Sequence, residues 1–145
     1  MLTASIDQWP DDLWDARDGN EAPAWQYFAH ILMGIDYWLP SENGHAIPDF
    51  ARRVNTNLGE PSHASLTRQE VRDFSLEVGE KVERYFHGLT DEQITAPSPV
   101  YDQWTHLDVI VEVIRHTQHH VGQLNLLLSQ KGHLPPEWDY HQPDG

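Results

Sequence analysis

Three stretches of the chain place apolar residues at helical spacing. The longest runs from Thr105 to Lys131, where Val109, Val113, His116, His120 and Leu127 form a nearly continuous stripe flanked by Ile110, Val111, Ile114, Leu124, Leu126 and Leu128. Residues three and four apart share one face of a helix, so this segment reads as a mostly buried helix. Thr105 with Asp108 three residues on supplies its cap, and Gly132 after Lys131 its stop. The segment Ala24–Leu39, between Pro23 and Pro40, is apolar nearly all round and predicts a second buried helix. Tyr27, His30, Gly34 and Tyr37 fall on one stripe of it. The third stretch follows a capping-box pattern, Thr67-Arg68-Gln69-Glu70. Val71, Phe74, Val78, Val82 and Phe86 then give one apolar face to about His87, and Gly88 ends it.

The remaining pieces are shorter. Pro10 followed by Asp11 and Asp12 predicts a short helix to about Ala16, broken by Asp18-Gly19-Asn20. Thr90-Asp91-Glu92-Gln93 is a second capping box, held to one turn by Pro97 and Pro99. Val100–Trp104 reads as a loop or a short strand. Residues 40–64 are rich in Pro, Gly, Asn and Ser. A connection of that length is uncommon in a compact domain unless it is functional or crosses a bundle. No segment alternates like a strand for long. The expectation is an all-α four-helix bundle occupying residues 1–145 as one domain.

Charge narrows the partners. Nine Lys and Arg stand against 23 Asp and Glu, a formal charge of −14. Phosphate backbones and anionic membrane surfaces are repelled by such a chain. No apolar segment reaches membrane-spanning length, and Met1–Ser5 lacks the basic start of a signal peptide, so a cytoplasmic location is expected. There is no Cys. Disulfides, thiolate metal sites and a thiol nucleophile are therefore excluded, and any metal must be held by His, carboxylate or water.

Histidine is abundant, at ten residues, and Trp at six. His116 and His120 are four apart, a spacing that lets two imidazoles on a helix share one divalent ion. On a buried stripe both rings need partners, and a metal satisfies both. His30, on the other buried helix, is the candidate third ligand. A rival pair of His116 and His119 is open, although His119 lies about 100° round the helix from His120 and reads better as a packing or supporting residue. Glu112 lies one turn before His116, where it either orients that ring or is a surface charge beside Arg115. Tyr27, Tyr37 and Trp104 are candidates for a pocket wall, or core aromatics. Gly34 and Gly122 would allow close helix approach. His45, His63, His87, His106, His133 and His141 sit in loops or near helix ends and read as solvated.

The segment His116-Thr117-Gln118-His119-His120-Val121-Gly122-Gln123-Leu124 resembles the closing motif of the DinB/YfiT-like superfamily. Trp25–Leu39, with His30 in its middle, looks like that family's second helix, and Pro135–Tyr140 resembles its usual ending. Two positions depart: Val121 stands where Arg is common, and Arg115 where Asn is common. The resemblance implies a four-helix bundle with a long crossover between helices two and three. It also implies one divalent metal, Zn, Ni, Fe or Mn, held by His30, His116 and His120. For function it implies a metal-dependent S-transferase that activates a low-molecular-weight thiol toward an electrophile. A homodimer is expected because Trp and aliphatic surface exceeds what one four-helix bundle of this size can bury, and the resemblance agrees, since relatives often pair through bundle helices. The competing readings are a non-catalytic, stress-related metal-binding protein, and a metal-dependent hydrolase with Glu112 or His119 as base.

Overall fold

Residues 2–17, 19, 21–39, 48–99 and 101–136 are described by the structure, a computed structural model. Its elements are helices α1 (Leu2–Gln8), α2 (Ala24–Trp38), α3 (Arg68–Gly88), α4 (Asp91–Ile94) and α5 (His106–Gln130). There are 3-10 turns at Asp11–Leu13 and Asp49–Arg52. No strand forms among the described residues. The chain is a helical bundle built on α2, which packs against both α3 and α5, while α1 packs against α3. Residues 48–67, the described part of the long connection, join α2 to α3.

The three capping boxes form as their sequences require. Thr67, Thr90 and Thr105 each accept from the backbone N–H three residues on, and Glu70, Gln93 and Asp108 return the bond to the cap residue. Each box satisfies two of the N–H groups that a helix start leaves without partners. At the far end of α5, Gly132 adopts φ +79°, a conformation open to glycine without strain.

The short helix expected from Pro10 to Ala16 is not there. The chain makes only the 3-10 turn Asp11–Leu13, and the first helix lies before Pro10. Tertiary contacts account for both differences. Trp14 is buried, donates its Nε1–H to the Leu66 carbonyl at 2.8 Å and stacks on Phe28. Asp15 accepts from Trp25 Nε1 at 2.8 Å. These contacts pull the backbone away from a helical path. α1 is held instead by α3: Arg68 donates to the carbonyls of Ile6 and Trp9, and Arg72 pairs with Asp7 at 3.0 Å. Between the Pro97–Thr105 bridge lies a turn, so Val100–Trp104 is no strand; Val100 itself is outside the described residues.

The core gathers Ile6, Trp9, Trp14, Trp25, Phe28, Ile31 and Leu32 with Val71, Phe74 and Val78 of α3 and Leu124 and Leu128 of α5. The first half of α2 is enclosed, as its uniform apolarity predicts. Its second half, from Met33, is only half-buried, and Tyr37 is 51% exposed. Among the described residues one ion pair is enclosed: Lys81 of α3 reaches Asp36 of α2 at 2.7 Å, with side-chain exposures of 10% and 14%. Lys81 also donates to the Asp36 carbonyl.

Candidate metal centre

Two helices bring three imidazoles together. His30 projects from α2 and His116 and His120 from α5, and one ring nitrogen from each lies within 4.8 Å of the others. The four-residue spacing stacks His116 and His120 with ring centroids 4.5 Å apart. His30 meets them at 5.0 and 4.7 Å. Among the described residues no carboxylate joins the cluster.

Hydrogen bonds fix which nitrogen faces inward. His30 Nδ1 lies 3.1 Å from the Thr56 carbonyl, which can only accept, so Nδ1 carries the proton and Nε2 the lone pair. His120 Nδ1 donates to Gln123 Oε1 at 2.6 Å and likewise leaves Nε2 bare. His116 Nε2 faces His30 Nε2 at 3.1 Å. Two lone pairs cannot face each other at that distance, so either the hydrogen of a neutral His116 sits on Nε2, or a metal ion takes both lone pairs. Behind His116 the packing is tight. A Cβ on Gly34 would stand 2.7 Å from its Cε1, and Trp38 packs edge-on at 4.8 Å. His116 Nδ1 is buried and has no hydrogen-bond partner. Three neutral imidazoles, two with tautomers locked by oxygen acceptors, are the donor set that zinc and similar ions take. The residues fit a divalent metal.

Electrostatics agree with that donor set. Burial pushes the His116 pKa down to about 4, helped by His120, His30 and His119 around it. Burial lowers His30 too, with His120 adding to the effect and the Thr56 carbonyl opposing it. His120 is lowered by burial against the opposing bond to Gln123. All three therefore stay neutral, with lone pairs free, below the usual imidazole range.

The other candidates take varied places. Tyr27 is buried with its ring 6.2 Å from His120, where burial raises its hydroxyl pKa. His119 is exposed and only its ring edge reaches His120, so the rival His116–His119 pair is not the one assembled. Glu112 accepts from Arg115 at 2.9 Å and makes no bond to His116 Nδ1. It takes the role of a surface charge, and Arg115 stays with it on the outside. Tyr37 and Trp104 meet Tyr101 rather than the histidines: Tyr37 through their hydroxyls, Trp104 by ring contact at 4.8 Å. Tyr101 in turn accepts from Trp38 Nε1 at 3.3 Å. Gly122 is exposed with nothing near its missing Cβ, so it has no packing role; Gly34 does. His63, His87 and His133 are exposed as expected. His106 is not: it is half-buried, with Nδ1 2.7 Å from the Tyr85 hydroxyl. His45, His141 and most of the Pro135–Tyr140 ending lie outside the described residues.

Sequence reasoning missed Trp38, the Thr56 carbonyl and the role of Gln123. Gln123, three residues from His120 on one helix, was within reach of a spacing argument. Nothing local marks Thr56, because the group in use is its backbone.

Residues 1–124 match the sequence model of the DinB superfamily. No curated protein matches the sequence. No described helix is long and apolar enough to cross a membrane.

Proposed function

The chain belongs to the DinB superfamily, and from that membership we propose that it is a metal-dependent enzyme activating a small thiol for transfer to an electrophilic substrate. The observation that carries the metal part is the convergence of His30, His116 and His120. Zn, Ni, Fe and Mn all suit three imidazoles. The thiol part rests on the resemblance of the chain to thiol-dependent members of the superfamily, an argument by analogy. A divalent ion held there supplies a Lewis acid able to lower the pKa of a bound thiol or water. The chain's own residues prepare for it. The Thr56 carbonyl and the Gln123 amide aim two lone pairs inward, and burial keeps the rings unprotonated. Gly34 and Trp38 seat His116 and keep water from its back. Because the chain has no Cys, a thiol nucleophile has to come from a second substrate.

A hydrolase has less support, since Glu112 is engaged by Arg115 and His119 faces outward. Pairing of two copies belongs to the same proposal. Leu107, Val111 and Ile114 are 46–49% exposed on one face of α5, an aliphatic strip suited to a second helix. Trp adds little to that argument, because Trp9, Trp14 and Trp25 are absorbed by the core.

The test is elemental analysis of protein purified without added metal, followed by a screen of small thiols with electrophiles. The expected result is about one divalent ion per chain, with thiol-dependent consumption of the electrophile that His116→Ala abolishes. Bound metal without any turnover would favour a non-catalytic metal-binding protein. Absence of metal binding under any supplementation would remove both readings.

A further inference from the structure

Gln26 lies one turn before His30 on α2 and is fully buried. Its side-chain Nε2 lies within hydrogen-bond distance of three backbone carbonyls, Asn55 at 2.9 Å, Asn57 at 2.8 Å and Glu60 at 3.0 Å, so its two hydrogens serve three acceptors, one of them shared. The amide orientation is fixed, because a flip would set Oε1 against three other oxygens. Thr56, whose carbonyl accepts from His30 Nδ1, lies between the first two of these residues. Helix α2 thus grips the 55–60 segment at two points one turn apart, and only one of them is a candidate metal ligand.

The segment behaves as one unit. Asn55 Oδ1 accepts from the Asn57 backbone N–H at 2.9 Å, and Asn55 Nδ2 donates to the Glu60 carboxylate at 2.9 Å. Ser62 Oγ accepts from the Asn55 backbone at 3.0 Å. Removing the Gln26 amide would take that donor from the Asn55 and Glu60 carbonyls, while the Asn57 carbonyl would keep only the Glu60 backbone N–H at 3.2 Å. Buried acceptors left unpaired are expensive, and the segment relieves them by lifting toward water. The Thr56 carbonyl would move with it, and a neutral His30 freed from that carbonyl can place its proton on either nitrogen.

We propose that Gln26 is a positioning residue for the metal centre: it seats the 55–60 segment so that the Thr56 carbonyl holds His30 in the Nδ1–H tautomer, with Nε2 aimed at His116. This rests on the reading that the three His bind metal, and the experiment separates the two. Wild type and Gln26→Met, which keeps length and apolar bulk, are titrated with Co²⁺ by absorption spectroscopy. The imidazole tautomers of the metal-free proteins are read from long-range ¹⁵N–¹H spectra. Wild type is expected to show His30 as the Nδ1–H form. Gln26→Met is expected to show a mixture, and to bind Co²⁺ about tenfold or more weakly, as loss of a ligand's hydrogen-bond partner does. Equal Co²⁺ affinity with an unchanged His30 tautomer overturns the proposal. Failure of wild type to bind Co²⁺ overturns the metal reading, and the tautomer spectra still decide the role of Gln26. If Gln26→Met does not fold, Asn55→Ala loosens the same segment from its solvent side. The proposal then stands if that variant shifts the His30 tautomer and weakens Co²⁺, and falls if it changes neither.

Discussion

Gly34→Ala separates the metal centre from the stability of the bundle. The new Cβ would stand 2.7 Å from His116 Cε1, 3.0 Å from its Nδ1 and 3.3 Å from Trp38 Cζ3. Ordinary contact begins at 3.4 Å, so the imidazole must retreat by about 0.7 Å. Trp38 stands edge-on against the same ring and restricts the retreat. Metal–nitrogen distances tolerate only about 0.2 Å. The displaced His116 is therefore expected to bind poorly, and Co²⁺ affinity should fall about 10- to 100-fold, the range seen when the support of a ligand is lost. Stability should change much less. Overpacking costs about 1–3 kcal/mol, while Ala in place of Gly within a helix returns about 1 kcal/mol. The net loss is at most about 2 kcal/mol, a Tm decrease below about 8 °C for a domain of this size. Co²⁺ titration and thermal melts of the metal-free proteins read the two effects apart. If Gly34→Ala binds Co²⁺ as tightly as wild type, the wedge argument is wrong. If it melts far lower, Gly34 serves the fold rather than the site.

Acid should weaken the metal-free protein through the same rings. The folded pKa of His116 lies near 4, below the usual 6.5, so the unfolded chain takes up protons first as pH falls. Stability is then constant above about 6.5 and declines as pH falls toward 4, by at most about 3 kcal/mol from His116 at full value. Screening around a half-buried ring reduces this to about 1–2 kcal/mol. Melts from pH 8 to 4 with His116→Ala as the control should show a shallower decline in the variant; parallel curves would refute the assignment. Metal loss should follow the same window, lower than the pH 7 to 5 range that unperturbed imidazoles would set. Asp36→Asn leaves Lys81 enclosed without its counter-charge and should destabilise the protein by about 3–5 kcal/mol in urea melts; a loss under 1 kcal/mol would mean the lysine escapes to water. Light scattering should give a dimer mass that Val111→Glu converts to a monomer, and a wild-type monomer at all working concentrations would refute pairing through α5.

Much of the bundle is written locally. Capping boxes at Thr67, Thr90 and Thr105 and the stop at Gly132 set helix ends within one turn of residues, so those ends were legible in the sequence. The same holds for His116 and His120, because one helix fixes the distance between residues four apart. His30 was legible only as an inward residue on a buried helix. Its meeting with His116 depends on how α2 and α5 pack. What the sequence misled on was decided between elements. Pro10–Asp12 carries a sound helix start, yet the anchoring of Trp14 and Asp15 prevents the helix. Gly34 and Gly122 look alike in sequence. Only the first faces a neighbouring helix, and there the missing Cβ makes room for a ring. Thr56 and Gln26 lie furthest from prediction: a backbone carbonyl has no side-chain signature, and the amide that seats it is 30 residues away. Local propensity is encoded over a few residues and survives any packing, whereas the tautomer of His30 is set by a hydrogen bond that exists only once the chain has closed on itself.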